Sequence, residues 1–166
     1  MKRYVFAIIC TLAVVLWVAF IFANSAQTGE ESGATSSDVQ EIINEILHNI
    51  GIDATLSEHT VRKCAHFGEY MLLGLLACAD IFALSSFIAK RSFKLQLLSF
   101  LGAIPFSGAV ALIDEFVVQM STEGRGPSLT DVLIDLGGSG CGVLLVFCVV
   151  FIIVGIKRIK TKNSCG

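Results

Sequence analysis

Residues 62–80 read RKCAHFGEYMLLGLLACAD. Arg62, Lys63, His66 and Glu69 can carry charge, whereas residues 71–79 carry none and Asp80 closes the run. An apolar stretch fit to enter a membrane therefore opens with groups that lipid excludes. What those groups mean depends on how many times the chain crosses a bilayer, and from which side.

The chain has 166 residues, of which 54% are hydrophobic and 16% charged. A soluble domain carries about a quarter charged residues, so the composition is that of a membrane protein. A spanning helix needs about 20 predominantly apolar residues. Four windows meet that need, at about 4–23, 66–89, 95–120 and 129–156. They predict an all-α fold, a four-span transmembrane helix bundle, forming one membrane-embedded domain over residues 1–166. The first window exceeds the roughly 7–15 apolar residues of a signal peptide, although the small residues Ala23, Asn24, Ser25 and Ala26 leave cleavage conceivable.

Lysine and arginine placement predicts orientation. Lys2, Arg3, Lys90, Arg91, Lys94, Lys157, Arg158, Lys160 and Lys162 account for nine of the twelve cations, and all flank spans on one side. Both termini are therefore expected in the cytoplasm. The exceptions are Arg62, Lys63 and Arg125. The six cysteines show no CxxC spacing and read as small packing residues.

The first loop, residues 24–57, is the sizeable extramembrane piece. Its start, NSAQTGEESGATSS, is small and polar and reads as irregular. Beyond it Val39, Ile42, Ile43, Ile46, Leu47 and Ile50 recur at helical spacing. Ser37 and Gln40 resemble a capping box, and Gly51 suits a helix end. An extra amphipathic helix is expected, packed over the bundle mouth, because its acidic polar face is unlike the basic face of lipid-surface helices. Ser57 is expected to cap the second span, and Ser128 with Asp131 to cap the fourth.

With the termini inside, Arg62–Glu69, Asp114, Glu115, Gln119, Arg125, Asp131 and Asp135 all reach the outer level. Arg62, His66 and Glu69 share one helical face, and Asp131 and Asp135 share another. Ionisable groups in spans face a bundle interior or a water-filled cavity, so an outward-facing polar pocket is expected. Three cations (Arg62, Lys63, Arg125) face five carboxylates (Glu69, Asp114, Glu115, Asp131, Asp135). Protons or a bound divalent cation are expected to neutralise part of that excess. The same residues could instead only lock helices together through Arg62–Glu69 and Arg125–Asp131 pairs. Adjacent Asp114 and Glu115 point apart on an α-helix and need two separate partners. Asp80 lies deeper and has no evident one. Gly138 and Gly142 form a GxxxG pair suited to close helix packing.

The order of FANSAQTGEES, RKCAHFGEY, DEFVVQMSTEGRGPSLTDVLID and GGSGCG resembles the VanZ-like family, named for a protein tied to teicoplanin resistance. Arg62, Lys63, His66, Glu69, Tyr70, Asp114, Glu115, Gln119, Arg125, Asp131 and Asp135 occupy the positions of the family pattern. The resemblance covers about residues 20–145. It implies a multi-pass protein of the bacterial cytoplasmic membrane with a part in glycopeptide tolerance, and it supplies no settled activity.

Two readings of the pocket follow. As a binding protein it would hold an envelope lipid, a headgroup or a lipid-linked precursor through Arg62, Lys63 and Arg125, with Tyr70, Asp114, Glu115, Gln119, Asp131 and Asp135 completing the wall. As an enzyme it would use His66 or Glu69 as general base, with the acids holding a divalent ion. A transporter is less favoured, because no repeats are visible. No nucleic-acid role is suggested, since topology already explains the basic clusters.

Overall fold

A computed structural model describes residues 2–88 and 93–163. Five α-helices follow in order: α1 (Lys2–Ser25), α2 (Gly29–Asn49), α3 (Glu58–Ile88), α4 (Phe93–Ile113) and α5 (Leu129–Asn163). A π-helical turn, Asp114–Val118, and a 3-10 turn, Gln119–Ser121, continue α4. No strand occurs among the described residues. Ala89, Lys90 and Arg91, which close the second expected span and carry part of the charge bias, lie outside the described residues, as does Cys165.

Among the described residues, four helices contain stretches long and apolar enough to cross a membrane: Arg3–Ser25, Glu58–Ser85, Ser99–Ser121 and Leu129–Ile153. Large apolar side chains such as Leu16, Leu101, Leu133 and Phe151 point outward. In lipid this costs nothing, because the hydrocarbon is as apolar as the side chain. Inside, Val14, Ile21, Tyr70, Leu73, Val110, Ala111 and Val132 form the main apolar cluster.

Helices α3 and α5 run very close. A Cβ at Gly138 or Gly142 of α5 would collide with the carbonyl oxygen of Phe67 or Met71, and one at Gly74 of α3 with that of Ser139. Ser139 Oγ donates to the Tyr70 carbonyl oxygen at 3.1 Å. Contact through backbone rather than side chains is the expected use of small residues in lipid. It sets α3 and α5 as the two fixed walls of whatever lies at their polar ends.

The first loop differs from its sequence reading in two ways. Helix α2 starts at Gly29, not near Ser37. Thr28 Oγ1 accepts from Glu31 N at 3.2 Å, and Glu31 Oε2 accepts from Thr28 N at 3.0 Å, a complete capping box. The small residues that read as irregular are the ones that pack. Ser32 and Ser36 are buried, and Gly29 sits against the backbone of Gly124, with its N–H donating to the Glu123 carbonyl oxygen at 2.9 Å. Tertiary contact overrides weak helix propensity here. Second, the apolar stripe does not cover the bundle mouth: Val39, Ile42, Ile46 and Ile50 are exposed. Thr28→Ala is expected to cost about 1 kcal/mol, a fall of roughly 2–4 °C in thermal midpoint. Ser37→Ala, at an exposed mid-helix site, should leave the midpoint within a degree or so.

Ser57 does cap α3, accepting from Thr60 N at 3.2 Å. Cys10, Cys64, Cys78, Cys141 and Cys148 are free thiols.

Candidate functional site

The chain alternates direction, so the end of α1, the start of α3, the segment after α4 and the start of α5 meet at one end. At that end a cavity of about 120 Å³ lies between α3, the 119–126 segment and α5. Arg62, Lys63, His66, Gln119, Arg125, Asp131 and Asp135 line it. Among the sequence candidates, Glu69, Tyr70, Asp114 and Glu115 are not in that lining.

The electrostatics are uneven. Lys63 Nζ pairs with Asp131 Oδ1 at 2.8 Å, with both side chains about a third exposed. This is the ion pair across α3 and α5. The expected Arg62–Glu69 and Arg125–Asp131 pairs do not form. Lys63 stands about 100° round α3 from Arg62, and that rotation turns it toward α5. Arg62 makes no hydrogen bond or ion pair among the described residues. Arg125 donates through Nη1 to Gln119 Oε1 at 3.3 Å, and its buried Nε has no partner. Burial first, then the like charge of Arg62, holds the Arg125 guanidinium below the usual arginine value, against the pull of Asp114, Glu115 and Glu69. It stays charged at neutral pH regardless. Two half-buried guanidinium groups side by side without a carboxylate mate favour an anion between them.

Beneath the arginines lies a buried acidic layer. Asp114 and Glu115 have the separate partners expected of them, Ser25 and Ser128, and Gln119 serves both as well. Its Nε2 donates to Glu115 Oε2 at 2.7 Å and to Asp114 Oδ2 at 3.2 Å. The π-turn explains this. Widening the helix over Asp114–Val118 puts Gln119 over both acids, and its backbone N–H likewise bonds the carbonyls of both. π-turns inside α-helices recur at functional sites. Glu115 Oε1 also accepts from Ser128 N at 2.6 Å. Ser128 Oγ caps α5 by accepting from Asp131 N at 3.4 Å. The reciprocal half of that capping box, expected from Asp131, comes from Glu115 instead.

Asp114 Oδ2 takes a second hydrogen bond, from Ser25 Oγ at 2.8 Å, while its Oδ1 has none. Asp135, 1% exposed, has no hydrogen-bond partner on either oxygen. His66 Nδ1 stands 4.0 Å from Asp135 Oδ1, too far for a hydrogen bond. The Tyr70 hydroxyl is also buried and unpartnered. Glu69 turns toward α1, accepting from Asn24 Nδ2 at 2.7 Å, and its carbonyl accepts from Trp17 Nε1 at 2.9 Å. Glu69 stands about 120° round α3 from Lys63, so with Lys63 turned to α5 it lies on the side that faces α1.

Asp80, without an evident partner in the sequence, has one: Thr11 Oγ1 donates to Asp80 Oδ1 at 2.7 Å. Sequence reasoning missed Asn24, Ser25, Ser128 and Thr11 as partners of the acids. The signal for Asn24 and Ser25 was available, since two polar residues end an otherwise apolar run.

Four helices long and apolar enough to cross a membrane, with a cavity of charged side chains between α3, the 119–126 segment and α5, fit a multi-pass membrane protein. The VanZ/LLP1 family profile matches residues 10–153, and the chain belongs to that family. No curated protein and no solved structure matches it.

Proposed function

We propose that the cavity holds the anionic headgroup of a cell-envelope lipid, a phosphate or carboxylate, on the outer face of a bacterial cytoplasmic membrane. In this reading both termini are cytoplasmic, as the lysine and arginine bias requires, and the cavity opens on the opposite side. Headgroup capture contributes to tolerance of glycopeptides such as teicoplanin, the role that the family resemblance implies. The observation that carries the proposal is the pair Arg62 and Arg125, which line one cavity with no carboxylate bound to either. Arginine presents a planar fork matched to carboxylate and phosphate oxygens.

Native mass spectrometry of the detergent-purified protein tests this. The wild type should retain an anionic lipid. Arg62→Ala and Arg125→Ala should each weaken retention by roughly tenfold or more, the worth of a charged hydrogen bond. Teicoplanin susceptibility should rise with the loss. Equal lipid retention by the double variant would sink the reading.

A second reading, an enzyme acting on a lipid-linked phosphate, is favoured by His66 and the unpartnered Asp135 on the same cavity wall. Release of inorganic phosphate from a lipid phosphate, abolished in His66→Ala, distinguishes it from binding alone.

A further inference from the structure

The buried acidic layer carries an inference that stands apart from headgroup binding. His66, Asp114 and Asp135 each offer one ligand atom, and the three atoms lie within 4.8 Å of one another. The same residues carry atoms left without a partner. Asp135 has two bare oxygens, and Asp114 has Oδ1 bare. His66 makes no hydrogen bond among the described residues. Buried carboxylate oxygens as a rule have a hydrogen-bond donor or a cation. The remaining acids are already engaged: Glu115 through Gln119 and Ser128, Asp131 through Lys63, and Glu69 through Asn24.

Asp114 is prepared in a further sense. Its Oδ2 is fixed by Ser25 and Gln119, which aims Oδ1 away from both. Metal-bound carboxylates are typically oriented by such outer hydrogen bonds. Ligands at about 2.1 Å from an ion in a tetrahedron lie about 3.4 Å apart. The three atoms therefore need to close by roughly an ångström, a shift that side-chain rotation provides once an ion screens their repulsion. His66 and Asp135 line the cavity, so an ion has a path in and water can complete its shell.

We propose that His66, Asp114 and Asp135 bind one divalent first-row transition-metal ion, zinc or manganese, at the floor of the cavity. The imidazole ligand separates this set from calcium and magnesium sites, whose ligands are oxygens. A divalent charge balances the two buried carboxylates, and the ion lies beneath the arginines where an anionic group would approach.

The test uses the full chain in detergent with zinc alone, after chelator treatment. The wild type should hold one zinc per chain by elemental analysis and gain thermal stability with it. Asp135→Asn and His66→Gln, close in shape to the native residues, should each lower zinc affinity about 100-fold, at least the effect of losing an outer partner. His48→Ala and His59→Ala should bind zinc as the wild type does. X-ray absorption on the zinc-loaded wild type needs no variant and should report one imidazole with oxygen ligands. Failure of the wild type to hold zinc or manganese overturns the inference. So does unchanged zinc binding in both Asp135→Asn and His66→Gln, or a shell containing sulfur or two imidazoles. Arg62→Ala and Arg125→Ala should keep the zinc, so a failure of headgroup capture leaves this site standing.

Discussion

Gln119→Leu lowers the thermal midpoint of the purified protein by on the order of 10 °C. Gln119 is 8% exposed, and its amide joins three charged groups: the N–H face meets Asp114 and Glu115, and the oxygen meets Arg125. Leucine fills nearly the same volume but offers neither donor nor acceptor. Asp114 would keep Ser25 and Glu115 would keep Ser128, yet each would lose a donor with both residues 0% exposed. Breaking a buried charged network from one side costs about 3–5 kcal/mol, and each kcal/mol moves a midpoint by about 2–4 °C at this chain length. Gln119→Glu separates the two ends of the amide. Glutamate can still accept from Arg125 but cannot donate to the acids, and it adds a third carboxylate. If the donors matter, Gln119→Glu falls at least as far as Gln119→Leu. A Gln119→Glu midpoint equal to wild type would show that the bridge to Asp114 and Glu115 is not what holds this layer.

That bridge also shows where sequence reading reached its limit. Span number and the convergence of Arg62, His66, Arg125 and Asp135 at one end were legible, because they follow from apolar run length and from the direction each helix must take. The pairing of Asp114 with Glu115 was not. On an ideal α-helix adjacent residues stand 100° apart, and only a local change of helix type brings both under one side chain. Propensity gives no cue for a π-turn in a run such as DEFVVQ. Asp131 was matched with Arg125, yet Lys63 takes that place, and which of the adjacent Arg62 and Lys63 faces α5 is a single residue step of rotation, finer than face counting resolves. Residues 24–37 misled for the opposite reason. Gly29, Ser32 and Ser36 have weak helix propensity, but Gly29 fits against the backbone of Gly124 and the two serines are buried, and that packing outweighs propensity. The metal candidates were scattered in sequence among six acids. Only the hydrogen-bond inventory shows that Asp135 keeps both oxygens, and Asp114 one, without a partner.

Gly138→Ala and Gly142→Ala should each destabilise the bundle by about 3 kcal/mol or more, while Gly140→Ala should not. The three glycines sit on one helix within five residues, so intrinsic propensity acts on all of them alike, and alanine is better than glycine in a helix by about 1 kcal/mol. Their surroundings differ. A Cβ at Gly140 meets nothing within 4 Å. One at Gly138 or Gly142 meets the backbone carbonyl of Phe67 or Met71, and backbone cannot rotate out of the way as a side chain can. Relief requires α5 to move off α3 as a body. Overpacking of a tight core costs about 1–3 kcal/mol when side chains can yield, and here they cannot. The displacement also reaches the site. Gly142 lies about 10 Å along α5 from Asp135 at 1.5 Å per residue, and a helix that tilts away there carries Asp131 from Lys63 and Asp135 from His66. The Gly142→Ala protein should therefore lose zinc and anionic lipid together with stability, though it touches neither. Thermal midpoints of the three variants, read beside their zinc content, decide the point. A Gly142→Ala protein as stable as Gly140→Ala would mean that α3 and α5 are not in backbone contact, and the walls of the cavity would have to be placed differently.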